Sequence, residues 1–181
     1  MNCGKNFANR SFLIYPVAAL ERRSAWIVIV AMLINMPPAA ADWQYTRWGM
    51  GIDQAIRASG NALHPPTPEE QNRYGVNDTA PSLVGTHDMG SFHFVAVLYF
   101  NGSNRSLSEV YLQLQDYGHS RALLAALRGL YGEPLGETRS NLGETVRWRD
   151  DKHRNEIHMY DMSPISRMKL IYSPLPSNKG L

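Results

Sequence analysis

The chain has a single cysteine, Cys3, among its 181 residues. An intramolecular disulfide is therefore excluded, and so is a structural zinc set built on thiolates. Charge of one sign is also scarce. There are 18 basic and 16 acidic residues, for a net charge of +2. A nucleic-acid-binding surface needs a clustered basic face, and none is present. A long hydrophobic run is missing too. The most apolar stretch, Ala25 to Met36, is shorter than the roughly 20 residues of a membrane span and is broken by Pro37-Pro38. Catalytic and cofactor signatures are equally absent. The sequence shows no phosphate-cradling glycine loop, no dinucleotide fingerprint, no H-E-x-x-H and no G-x-S-x-G. No cofactor is implied.

What residues 1–41 do contain is a pattern. Lys5, Arg10, Arg22 and Arg23 lie upstream of the apolar run, and Ala39-Ala40-Ala41 closes it. A basic flank, a short apolar core and a small-x-small site make a cleaved secretory signal, with the cut after Ala41. The reading places the mature chain, 42–181, in the bacterial periplasm or outside the cell, with no membrane insertion after cleavage. The signal carries four of the basic residues and one acidic residue, Glu21. Subtracting them leaves 14 basic and 15 acidic residues, so the mature chain would carry −1. Cys3 would leave with the signal.

The mature chain reads as one α+β domain. Ile52, Ala55, Ile56 and Ser59 recur at helical spacing, and Gly60 ends that helix. Residues 61–81, with Pro65-Pro66, Pro68 and Pro81, read as a proline-rich loop. Strands are expected at Ser82–Met89, Ser91–Asn101 and Leu107–Gln115, with a turn at Asn101–Asn104. Ser120 to Tyr131 is a helix with a leucine stripe, stopped by Gly132-Glu133-Pro134, and Ser120 stands at its N-cap. Strands follow at Glu144–Asp150, Asn155–Met162 and Ile165–Tyr172, and the tail 174–181 reads as frayed. The order is helix then three strands, twice. It predicts a tandem αβββ arrangement, a six-stranded antiparallel sheet with two helices on one face.

Two short motifs carry a resemblance. Trp48-Gly49-Met50 opens the first helix, and Tyr131-Gly132-Glu133-Pro134 ends the second, before strands such as Val146–Asp150. In this the chain resembles small exported bacterial proteins of the β-lactamase-inhibitor-like and BamE-like type. The resemblance implies a non-enzymatic interaction protein of the envelope. The chain departs from it in lacking a lipid-attachment cysteine and disulfides.

Alternation along the strands selects the candidate binding residues. If helices cover the face of Leu98, Leu112 and Trp148, the opposite face carries His93, Tyr99, Tyr111, Gln113, Arg147 and Arg149. Tyr and Arg are enriched in binding hot spots. That face is expected to meet a protein or another envelope component. Two clusters support an alternative, a small periplasmic metal-binding protein or hydrolase. One is His87, Asp88 and His93. The other is the turn holding Asp150, Asp151, His153 and Glu156. The first lacks a third ligand on a defined scaffold and the second reads as a solvated turn, so no metal site and no catalytic residue are assigned.

Overall fold

The structure, a computed structural model, describes residues 42–75 and 82–176. Residues 1–41, which the sequence reads as a signal, residues 76–81 and the end of the tail, 177–181, lie outside the described residues.

The elements in chain order are α1 (Ile52–Ala58), α2 (Pro68–Tyr74), β1 (Leu83–Met89), β2 (Phe92–Phe100), β3 (Leu107–Leu114), α3 (Ser120–Tyr131), β4 (Gly136–Ser140), β5 (Gly143–Asp150), β6 (Asn155–Met162) and β7 (Arg167–Pro174). Single 3₁₀ turns precede α3 and β7. The strands form one antiparallel sheet in the order β1-β2-β3-β7-β6-β5-β4. Two meanders therefore meet in the middle, where β7 pairs with β3 in the register Val110↔Tyr172 and Leu112↔Leu170.

The α+β class holds, but the sheet has seven strands rather than six, and the second half carries four. The added strand, β4, has the sequence GETRS, with no apolar alternation to announce it. It exists because β5 pairs with it from Gly136↔Arg147 to Ser140↔Gly143. Its charged residues suit an edge, where they discourage pairing with another chain. At the other edge, β1 is partly covered. His64 and Val84 exchange two main-chain hydrogen bonds of 2.9 Å each.

The expected helix-and-three-strand repeat also breaks at residues 61–81, which are not loop throughout. Thr67-Pro68-Glu69-Glu70 starts α2. Thr67 Oγ1 accepts from Glu70 N at 3.3 Å and Glu70 Oε2 accepts from Thr67 N at 2.8 Å, a reciprocal cap with proline in the first turn. The N-cap of α3 is His119, not Ser120, which is the first helical residue and is buried. The tail is tied further than expected. Pro174 pairs with Asn155, and Leu175 N donates to Arg154 O at 2.9 Å.

Alternation sorts the sheet into two faces. Phe94, Ala96 and Leu98 of β2, Val110, Leu112 and Leu114 of β3, Leu170 of β7, Ile157 and Met159 of β6 and Trp148 of β5 form one buried layer. Ala55 of α1 and Leu123 and Leu127 of α3 pack onto it. These helices share one face, as the alternation predicts. α2 does not. Its Tyr74 packs with Val84, Val97 and Tyr99 on the opposite face. Among the described residues, no helix is long and apolar enough to cross a membrane.

Candidate functional site

The face opposite α1 and α3 holds a continuous row of aromatic and cationic side chains across the sheet centre. Tyr99 and Tyr111, on adjacent strands, place their rings 4.6 Å apart. On β7, Lys169 pairs in register with Gln113 on one side and Tyr160 on the other. Its Nζ lies 5.4 Å from the Tyr111 ring centroid and 5.3 Å from that of Tyr160. The ammonium thus sits between two π-faces, a favourable position for a cation. Tyr160 stacks in turn on His158, and His158 Nε2 approaches Glu156 Oε1 at 3.0 Å.

α2 turns part of this face into a groove. A hollow of about 210 Å³ lies between the end of α2 and strands β2, β3 and β7. Tyr74, Tyr99, Tyr111, Gln113 and Lys169 line it, and Arg73 and Arg167 stand at its rim. Arg73 is paired with Glu69 at 2.7 Å. No carboxylate among the described residues lies within 4.0 Å of Arg167 or Lys169.

Burial tunes the groups inside. The Lys169 amine is pushed below its ordinary value by burial, against the opposing pull of Glu109. The Tyr111 phenol is pushed up to about 12, first by burial and then by Glu109. Tyr99 is raised further, mainly by burial. The amine is held among phenols, with the Glu109 carboxylate acting on it from nearby.

The structure does not gather all the residues chosen from the sequence. Tyr111 and Gln113 are half-buried and line the groove. Tyr99 lines it too, but as a buried wall, only 5% exposed. The expectation of an uncovered face fails there, because Tyr99 Oη donates to the Tyr74 carbonyl and α2 lies over it. His93 is at the strand end, exposed, with Nδ1 2.7 Å from Asp88 Oδ1. Arg147 and Arg149 are exposed on β5, three strand spacings from β3, or roughly 14 Å. Arg149 pairs with Asp151 at 2.6 Å. Sequence reading missed Lys169, Tyr160 and Arg167. The signal was present, since alternation through β7 sets Lys169 opposite Leu170. Arg73 and Tyr74 were missed with α2, whose T-x-x-E cap was legible.

Of the two clusters behind the alternative, the first does not converge and the second brings together Asp150 and His153. Adjacent strand residues point to opposite faces. His87 therefore points away from Asp88 and His93, packing 5.3 Å from Trp43 and 6.3 Å from Phe94. Among the described residues, no group of three or more His, Cys, Asp or Glu is placed to hold a metal ion. In the turn, Asp150 accepts from His153 N at 3.1 Å and meets His153 Nδ1 at 2.6 Å. This pair closes the β5–β6 turn and borders a hollow of about 620 Å³ whose lining, among the described residues, includes no Ser, Thr or Cys.

No family model matches the chain, and no curated protein or solved structure does.

Proposed function

We propose that the chain is an exported, non-catalytic binding protein of the bacterial periplasm, cut after Ala41, that meets a protein or envelope component through the groove-bearing sheet face. The observation that carries this reading is Lys169. Its amine is held between Tyr111 and Tyr160 beside a preformed hollow, without a carboxylate partner among the described residues. Burying part of a lysine between rings costs solvation, and a ligand's negative charge would repay it. The aromatic walls supply contact area at low conformational cost, as in binding hot spots.

The groove joins the sheet face to α2, which lies within segment 61–81. Both belong to one surface on this reading. The test is photo-crosslinking in intact periplasm from a probe placed at Arg147, on the same face but outside the groove. A discrete adduct that disappears with Arg167→Glu supports the reading, and an adduct that persists unchanged counts against it. Export is tested separately by fusing residues 1–60 to alkaline phosphatase, where an inactive fusion refutes it.

A further inference from the structure

We propose that the groove under α2 is a binding site for a small ring-bearing carboxylate, an inference that rests on the sheet face being the binding face. Three properties of the groove select that chemistry. The first is size. At about 210 Å³ it falls below the roughly 300–1,000 Å³ of sites for drug-sized ligands, so it accommodates a single ring with its substituents. The second is shape. Tyr74, Tyr99 and Tyr111 belong to its lining, and the half-buried Tyr74 and Tyr111 supply aromatic surface against which a sugar or aromatic ring can pack.

The third is charge. Lys169 and Arg167 have no carboxylate partner among the described residues, and Arg73 is shared with Glu69. A neutral ligand would desolvate Lys169 further, with Glu109 offsetting its charge only in part. Glu109 neighbours Tyr111 and Lys169 and reduces the local positive field. A monoanion therefore matches the groove better than a phosphate does. Arg167 supplies the planar donor fork suited to a carboxylate. Gln113 lies in register with Lys169 and offers both a donor and an acceptor to ring substituents.

Two sources share this chemistry, a uronic-acid unit of an acidic polysaccharide and a free aromatic acid. The test titrates the purified protein with glucuronate and with 4-hydroxybenzoate, followed by amide chemical shifts, with glucose and acetate as controls. At least one ring acid is expected to shift the amides of Gln113 and Lys169. It should bind about tenfold or more tightly than either control, a margin of about 1.4 kcal/mol. The acid that binds better identifies the source. Arg167→Gln, an exposed change, and Lys169→Met should each weaken binding about tenfold or more, and raised salt should weaken it further. If Lys169→Met does not fold, Arg167→Gln alone decides. The inference is overturned if neither acid binds, if glucose binds as well as glucuronate, or if Arg167→Gln leaves affinity unchanged. Failure here with the Arg147 adduct intact removes the small-acid ligand and leaves the macromolecular partner. Loss of the adduct with acid binding intact does the reverse.

Discussion

Tyr99 at the far end of β2 donates its phenolic hydrogen bond to the main-chain carbonyl of Tyr74, the last residue of α2. No residue of α2 is itself buried, so this bond and the Tyr74 ring fasten the end of the helix to the sheet, while His64, paired with Glu70 and bonded to Val84, tethers its start. Tyr99→Phe keeps the ring and removes the bond. It should cost about 1 kcal/mol in urea unfolding and speed amide exchange in Gln71 to Gly75 more than elsewhere. Tyr99→Ser also empties a buried site and should cost about 3–5 kcal/mol.

Leu112 and Tyr111 are neighbours on β3 and face opposite ways, the first fully buried and the second half-buried. Leu112→Ala should destabilise by about 2–5 kcal/mol. Tyr111→Ser should cost clearly less while weakening ligand or partner binding. Thermal melts of the two variants decide, and equal losses would mean that the groove face is as much core as the helix-covered face.

The Tyr111 phenol also predicts an alkaline response. Its folded value, about 12, lies above its ordinary 10.0. Between these values the unfolded chain ionises and the folded one does not, so stability is intact below about pH 10 and is lost as pH rises towards 12. Tyr111→Phe should lose less stability across that window, measured by urea midpoints at about pH 9 and pH 11.

His87 predicts the acid response. Burial against Trp43 and Phe94 holds its imidazole below the ordinary 6.5, with Asp88 opposing, and its Nε2 has no hydrogen-bond partner among the described residues. The unfolded chain binds the proton first. Stability from this group is therefore full above 6.5 and falls as pH drops below it. His87→Phe should flatten that fall. Equal losses for both proteins between about pH 7.5 and pH 5 would assign the acid sensitivity to another group.

Two glycines should answer in opposite directions. Gly143 opens β5 at φ +130°, and a Cβ there would stand 1.8 Å from the Asp161 carbonyl oxygen. Gly143→Ala should cost at least about 2 kcal/mol. Gly129 lies exposed inside α3 with open space where a Cβ would stand, so Gly129→Ala should gain about 0.5–1 kcal/mol. Differential scanning calorimetry reads both.

The legible parts of the fold were those where burial imposes a period. Phe94, Ala96 and Leu98 against Val95, Val97 and Tyr99 set β2 and its two faces, and the leucines of α3 set its stripe. β4 was hidden because its place comes from pairing with β5, not from its own residues. The site was half legible for the same reason. Alternation put Tyr99, Tyr111 and Gln113 on one face. It could not say that β7 would bring Lys169 beside them, because strand order at the sheet centre depends on contacts about 60 residues apart, as between Leu112 and Leu170. Nor could it say that α2 would cross to cover Tyr99.

The position of β7 also sets a clock. β3 is complete by residue 114, yet its second neighbour spans residues 167–174 and is the last strand to be synthesised. Until that strand arrives, β3 and β6 each present an unpaired edge and neither meander can close its core on the other. A nascent chain of this design gains its central pairing only at the end, since distant pairing waits on loop closure. The pairing that joins the two meanders is therefore the one made last, once the chain has been extended through residue 174.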